Sequence, residues 1–432
     1  MVTLQRPAVR ASVVAIMLGL AVLLALAGPG RADSVDDRAT VEWMRRHAAP
    51  FDTCAFRADH GDLASLPALI GDARIVGLGE GTHGTREFFQ MKHRIVEYLV
   101  TEMGFRYFAI EANMPEAYRL NDYVLHGVGD PRALIRGMHY FTWRTQEVLA
   151  LVEWMRHTNA SGHRHIEFLG FDMGFPDTSL AIVRRFCIQA DPSWTDTVST
   201  LARGMAADAG MRSSIGSRTL NAMAARRLYA HLRAARGRLA RATNPKDADW
   251  AIQNARIAEQ CARNRLDFFV RDSAMANNVE WILGHAPPGA KVILWAHNSH
   301  VSRTPGYMGD FLARRFGSAY RPIGFATGSG TYRAVFHRKM TQDLPLQAPP
   351  GGSLESLCRA VGPARFVLDL RGGTLVPIVK RTLGRGILMR HIGALAMDEQ
   401  FQPIALLSAF DGLIWIEHTS SALEMSNGPS PK

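Results

Sequence analysis

The chain has 432 residues, of which 47% are hydrophobic and 21% charged. This is the make-up of a globular protein, and it excludes a disordered or fibrous chain while leaving room for one large α/β domain with appended modules. The formal net charge is +11, but Arg and Lys are scattered and no RNP, zinc-finger or basic-helix signature occurs. The charge therefore reads as a solvated surface with some attraction to anionic membranes or polymers, and nucleic acid is not expected as a partner.

The N-terminus carries the first organised signal. Arg6 and Arg10 precede an apolar run from Ala11 to Ala27, which is followed by Gly28-Pro-Gly-Arg-Ala-Asp. This is the order of a charged n-region, an h-region and a small-residue cleavage site, so residues 1–32 are expected to be a signal peptide with Ala32 the last residue removed. An uncleaved anchor is the alternative, but the run falls short of the ~20 residues a membrane span needs, and helix breakers follow at once. The mature protein is thus expected to be exported, periplasmic or secreted, with no stable membrane anchor. Removing residues 1–32 takes away three Arg and no acid, lowering the net charge from +11 to +8. Export permits disulfides between Cys54, Cys187, Cys261 and Cys358, yet their spacing forms neither a disulfide framework nor a metal motif. Two bridges, one or none remain open.

Further along, short β-rich apolar runs alternate with helical patterns. The runs are Arg74-Ile-Val-Gly-Leu-Gly, Phe108-Ala-Ile, Ile166-Glu-Phe-Leu-Gly-Phe, Lys291-Val-Ile-Leu-Trp-Ala, Pro322-Ile-Gly-Phe-Ala, Phe366-Val-Leu-Asp-Leu and Leu413-Ile-Trp-Ile. Alternation of this kind predicts a mainly parallel sheet with flanking helices. One helix is expected from Glu87 to Met103, with Phe88, Ile95, Val96, Leu99 and Met103 on one face, and another from Thr145 to His157, with Thr142 as its N-cap. The stretch 193–279 is rich in Ala and Arg and keeps helical periodicity without a strand, which predicts a helical insertion. Residues 33–192 and 280–344 then form the α/β catalytic core. After the Pro- and Gly-rich 344–352 stretch, residues 345–424 are expected to form a small C-terminal α+β lobe, and 425–432 a disordered tail.

The chemistry-bearing residues fall after the predicted strands. Glu80 and His83 follow the first in Gly79-Glu-Gly-Thr-His-Gly, Glu111 ends the second, Asp172 the third, and His297 and His300 follow the fourth in Ala296-His-Asn-Ser-His. In an open parallel sheet ligands bind beyond the carboxyl ends of the strands, so these side chains are predicted to share one edge. The glycines around Glu80 would let the backbone approach a ligand closely. Glu111 and Asp172 could instead cap the helices that follow them, and His297 and His300 could be ordinary loop histidines. Lys92 lies on the apolar face of its helix, where an ammonium needs an acid, and Glu80 or Glu111 would serve. Arg271-Asp reads as a packing and capping element, and the remaining histidines show no convergent spacing.

No Gly-x-Ser-x-Gly elbow, Walker loop or dinucleotide fingerprint is present, and no cysteine sits in a reactive context. The remaining set suits direct activation of water, with His83 as general base and Glu80 orienting its ring, while His297 or His300, with Lys92, stabilises the oxyanion. Under this reading no cofactor is needed. Glu80, His83, His297 and His300 also make a divalent-metal set, and spacing alone leaves that alternative open.

On these motifs the chain resembles the erythromycin esterase family, some members of which are described as succinoglycan biosynthesis proteins. The matching segments are Gly79-Glu-Gly-Thr-His-Gly, Glu87-Phe-Phe with Lys92, Gly104-Phe-Arg-Tyr-Phe-Ala-Ile-Glu111, Trp154-Met-Arg-x-x-Asn, Phe168-Leu-Gly-Phe-Asp172, Arg271-Asp-x-x-Met-Ala-x-Asn, Trp295-Ala-His-Asn-Ser-His and Ala409-Phe-Asp-Gly. The resemblance implies an α/β core with a helical insertion and hydrolysis of a small-molecule ester or lactone, which in the family's antibiotic-resistance members is a macrolide. It further implies that His83 is the base and Glu80 its partner, with Lys92, Glu111, His297 and His300 lining the cleft. Two departures stand out: Lys92 occupies a position where resistance members carry Arg, and the chain has an export signal. Metal-dependent hydrolysis of peptides or amides, and a non-catalytic cell-envelope or polysaccharide-biosynthesis role, are the competing expectations.

Overall fold

The computed structural model describes residues 35–162, 165–208, 213–371 and 375–425. The expected signal peptide, and all but the first residue of the expected tail, lie outside the described residues.

The strands in chain order are β1 (Ala48–Pro50), β2 (Ile75–Leu78), β3 (Tyr107–Asn113), β4 (Glu167–Asp172), β5 (Val292–Trp295), β6 (Tyr320–Phe336), β7 (Lys339–Pro345), β8 (Arg365–Asp369), β9 (Ile387–Arg390), β10 (Phe401–Ile404) and β11 (Gly412–Thr419). Nine of them form one sheet in the order β1-β8-β11-β6-β2-β5-β3-β4, with β7 folded back on the end of β6. From β11 across to β4 all neighbours are parallel. The antiparallel members are β8, β1 and the β6–β7 hairpin. At its centre β2 and β5 are buried at every residue, as their continuous apolar runs require of strands covered on both faces.

Each face has its own core. One gathers Phe88, Ile95, Leu99, Val148, Val152 and Phe168, and the other Met275, Val279, Ile282, Leu294, Leu312 and Trp415. The helix expected over 87–103 runs Arg86–Thr101. The one expected over 145–157 runs Gln146–Ala160, and its N-cap is Thr145, whose hydroxyl accepts the Val148 N–H at 3.2 Å, rather than Thr142. Between β4 and β5 the described residues hold helices only. Helical structure there already starts at Asp177–Ala190, and the helices up to Asn264 pack around a separate core that includes Leu180, Val183, Leu201 and Leu228. Val270–His285 instead lies against the sheet.

The stretch 345–424 does not stand apart as a lobe. It supplies β8 and β11 to the main sheet, and only β9 and β10 pair separately. The cause is the open edge of β6, whose apolar Ile323–Thr327 segment pairs with Gly412–Ile416. Nor is the Pro- and Gly-rich stretch a free linker, since the Leu346 N–H donates to the Gly330 carbonyl and the Gln347 N–H to Gln400 Oε1.

This return of the chain also clamps the loop after β2. The Gly84 carbonyl accepts the Arg333 and Ala422 N–H groups, both at 2.9 Å. A Cβ on Gly84 would lie 1.7 Å from the Arg333 carbonyl oxygen, which is backbone and cannot swing aside. Gly84→Ala should therefore lower stability by about 1–3 kcal/mol, as overpacking does. Urea unfolding checks this, and an unchanged midpoint would show that the two backbones can separate freely.

Candidate active site

The carboxyl ends of β2, β5, β3 and β4 lie side by side, and the loops that leave them bring together the side chains singled out above. Gly79 opens the first loop. Its Cβ would sit 2.1 Å from Asn298 Oδ1, and Asn298 in turn is bonded through both side-chain ends to the Phe325 backbone. At Gly79 and Gly84, then, the close approach that glycine permits is to the protein's own atoms rather than to a ligand.

Glu80 is fully buried, and every bond it makes is to another residue of the site. Oε1 accepts from His83 Nδ1 at 2.6 Å. Oε2 accepts from Lys92 Nζ at 2.6 Å and from the Trp295 indole N–H at 3.0 Å. Lys92 is also fully buried, with its ammonium 4.6 Å from the Trp295 ring. Burial pushes its pKa down to about 8, against the pull of Glu80 in the other direction. Of the two acids open to Lys92 from the sequence, Glu80 is the one that receives it. Lys92 therefore stands behind the carboxylate, outside the cleft wall. With Nδ1 committed to Glu80, His83 turns Nε2 toward the cleft, where it has no hydrogen-bond partner among the described residues; its ring packs beside Trp143 and His297.

A second cluster faces the first. Arg271 Nη2 lies 2.7 Å from Glu111 Oε1 and 2.6 Å from Asp172 Oδ2. Tyr140 donates its hydroxyl to Asp172 Oδ2 at 2.7 Å, and the His297 N–H donates to Glu111 Oε2 at 3.0 Å. Neither acid caps the helix that follows it; both are held by partners across the sheet edge. Burial raises the pKa of Glu111, but the charges of His300 and Arg271 more than offset it and hold the carboxyl well below the usual range. His300 is gripped from the other side by Asp272, 2.7 Å from its Nδ1, while its Nε2 lies 3.3 Å from Glu111 and 3.0 Å from Arg271 Nη1. Burial disfavours the imidazolium, yet Glu111 and Asp272 outweigh it and raise the pKa above the usual 6.5.

His297 is held differently. Its Nδ1 accepts the Ser299 N–H at 3.2 Å and lies 2.8 Å from the Ser299 hydroxyl, and its Nε2 is 3.1 Å from the Ile392 carbonyl. That pattern requires a neutral ring with the proton on Nε2, and burial together with His391 and His83 holds its pKa far down. His391 packs edge-on against it at 4.6 Å, with its own pKa pushed down to about 4 by burial and by His300 and His83.

The result is a cleft of about 570 Å³ with His83, Glu111, Arg271, His297, His300 and His391 among its walls. Glu80, Lys92 and Asp172 support these residues from behind. The metal alternative does not fit this arrangement. Glu80 is engaged through both oxygens, His297 through both nitrogens and His300 Nδ1 by Asp272, and no three His, Cys, Asp or Glu among the described residues are grouped to hold an ion. The four cysteines are buried as free thiols.

Sequence reasoning missed Arg271, Asp272, Tyr140 and His391. The signal that was available is charge balance: Glu111 and Asp172 at buried strand ends demand a cation, and Lys92 can serve only one acid. Because Lys92 and Glu80 are both fully buried, Lys92→Met should cost about 3–5 kcal/mol by stranding the carboxylate. Adding Glu80→Gln to that variant should recover much of the loss in urea unfolding, whereas additive losses would show that the two side chains do not act as a pair.

Residues 100–419 match the erythromycin esterase family model, a span that includes Glu111, Asp172, Arg271 and the three cleft histidines at 297, 300 and 391, while the Glu80–His83 loop precedes it. The chain is 25% identical to the putative hydrolase YbfO of Bacillus subtilis over 419 residues, covering 88% of this chain and 91% of that one. It is 24% identical to erythromycin esterase type II of Escherichia coli over 421 residues, covering 88% and 97%. A solved structure from Bacillus cereus superposes with a TM-score of 0.81 at 26% identity, over 90% of this chain and 99% of that one. With its fold, its matched segment and its relatives in agreement, the chain belongs to the erythromycin esterase family and is a hydrolase of that family.

Proposed function

We propose that this protein cleaves a carboxylic ester or lactone with a water molecule deprotonated by His83, and that it does so after export. The observation that carries the reading is the bond from His83 Nδ1 to a Glu80 carboxylate whose other oxygen is held by Lys92 and Trp295. It keeps the His83 proton on Nδ1 and leaves Nε2 as a base facing the cleft. Water gives its proton to Nε2, and the resulting hydroxide adds to the ester carbonyl. The tetrahedral oxyanion lies among Arg271 and the protonated His300, the two cationic side chains of the cleft wall. Collapse breaks the bond to the alkoxide, which takes up the proton held on His83. Lys92 is a positioning residue that acts through Glu80, and His297, with both nitrogens occupied, shapes the wall. No step calls for a metal, and the donor geometry described above favours none. The likeness to erythromycin esterase type II supports an ester or lactone as substrate, and the Arg-rich, apolar N-terminal segment supports export.

His83→Ala should lower kcat/KM on a panel of esters and lactones by about 10²–10⁴-fold while leaving the unfolding curve in place, and wild-type turnover should survive exhaustive chelation. Equal turnover by the variant removes His83 as the base. The rate should fall at a pH above 6.5 as His300 loses the proton that Glu111 and Asp272 help it retain. Asp272→Asn removes one of those anions, so the falling limb should move to lower pH. A limb that stays in place would show that His300 need not be charged.

A further inference from the structure

We propose that a second cavity, at the opposite end of the strands from the catalytic cleft, binds an organic ammonium ion with a bulky apolar body. The cavity measures about 780 Å³, ample for a small organic ligand, and its walls come from several segments of the chain. Tyr107 and Glu167, which line it, are the first residues of β3 and β4, strands whose carboxyl ends face the cleft. Trp250, another lining residue, lies about 20 Å along its helix from Asn264, which lines the cleft. The two sites are therefore separate, and the second does not rest on the hydrolytic reading of the first.

Three observations define the occupant's chemistry. One side of the cavity is aromatic: Tyr118 and Trp250 pack with ring centroids 4.1 Å apart, Trp250 meets Trp281 at 5.9 Å, and Trp281 stacks on His285 at 4.0 Å. All four line the cavity, and their mutual contacts fix the wall before anything binds. The described lining is also acidic, although the chain as a whole carries +11 with histidine neutral. Asp122, Glu167, Asp247 and Asp249 line it beside a single Lys246. Arg236 matches Asp249 through bonds of 2.5 and 2.7 Å, and Lys246 can balance one acid more. Two carboxylates are left in excess among the described lining residues, and the side-chain partner of Glu167 there is the exposed His165 at 3.4 Å. Finally, burial and then the charge of Glu167 raise the pKa of the Tyr118 hydroxyl, which has no hydrogen-bond partner among the described residues. A sheltered hydroxyl is ordinarily paired, so this one is left to an occupant. An anion would be repelled here, and a neutral sugar would leave the excess charge unanswered. A bare metal ion finds no three His, Cys, Asp or Glu grouped to hold it among the described residues. An ammonium on an apolar body meets the carboxylates and the ring faces together.

The test is calorimetric titration of the full chain at neutral pH with three probes. These are protonated dimethylbenzylamine, dimethylbenzylcarbinol as a neutral compound of similar shape, and methyl glucoside as a neutral sugar. The amine should bind at least about tenfold more tightly than either neutral compound. Glu167→Gln keeps the shape of the side chain and removes its charge, so it should weaken amine binding about fivefold and leave the carbinol unaffected. Trp250→Leu should weaken amine binding about tenfold by removing the central ring of the wall. If that variant does not fold, Glu167→Gln decides alone. No binding of the amine, equal binding of amine and carbinol, or tighter binding of the glucoside overturns the proposal. Unchanged amine affinity in Glu167→Gln also overturns it, because the amine would then be held elsewhere.

Discussion

A carboxylate with no access to water organises this protein. Glu80 lies just past the end of β2, and an isolated charge there would be prohibitively costly to bury. It is tolerated because Lys92, nearly two turns into the next helix, neutralises it, and because Trp295 and His83 supply the remaining donors. The same bonds join the first loop to the following helix and to the neighbouring strand. They also select the tautomer of His83. One compensated charge thus couples the stability of the sheet edge to the protonation pattern of the site.

The opposite wall follows a different rule. Three carboxylates, Glu111, Asp172 and Asp272, meet two cations, Arg271 and His300. Arg271 spans two of the acids with its planar fork, a task for which a lysine point charge is poorly shaped. Surrounding acids outweigh burial at His300 and raise its pKa, while burial and neighbouring imidazoles lower those of His297 and His391. His300 on one hand and His297 and His391 on the other are thereby shifted in opposite directions by their surroundings, the usual means by which one site holds both an acid and a base.

The cleft also depends on chain that comes long after the first loop. Arg333 and Ala422 hold the Gly84 carbonyl, the Ile392 N–H donates to the Gly81 carbonyl at 2.8 Å, and the Ile392 carbonyl faces His297. The β6–β11 pairing that brings these segments together is therefore part of what positions His83. The geometry of the cleft and the strand pairing beside β2 form one structural unit.

What the sequence determined by itself was local or periodic. Apolar runs marked the strands, polar residues placed directly after them marked the functional edge, and a lysine on an apolar helical face announced a buried acid nearby. Glu80 and His83, three residues apart in one turn, could meet whatever the rest of the chain did. The tertiary structure alone decided the contacts between distant segments. Arg271 reaches Glu111 across 160 positions and Asp172 across 99, and no spacing rule connects them. His297 was legible as a site residue, but its locked tautomer depends on a carbonyl 95 positions away. Residues 345–424 looked like a separate lobe because a Pro- and Gly-rich stretch precedes them, and only the edge of β6 draws β8 and β11 into the main sheet. Local patterns follow from the geometry of the backbone, whereas charge compensation and strand partnership emerge only when the whole chain has closed on itself.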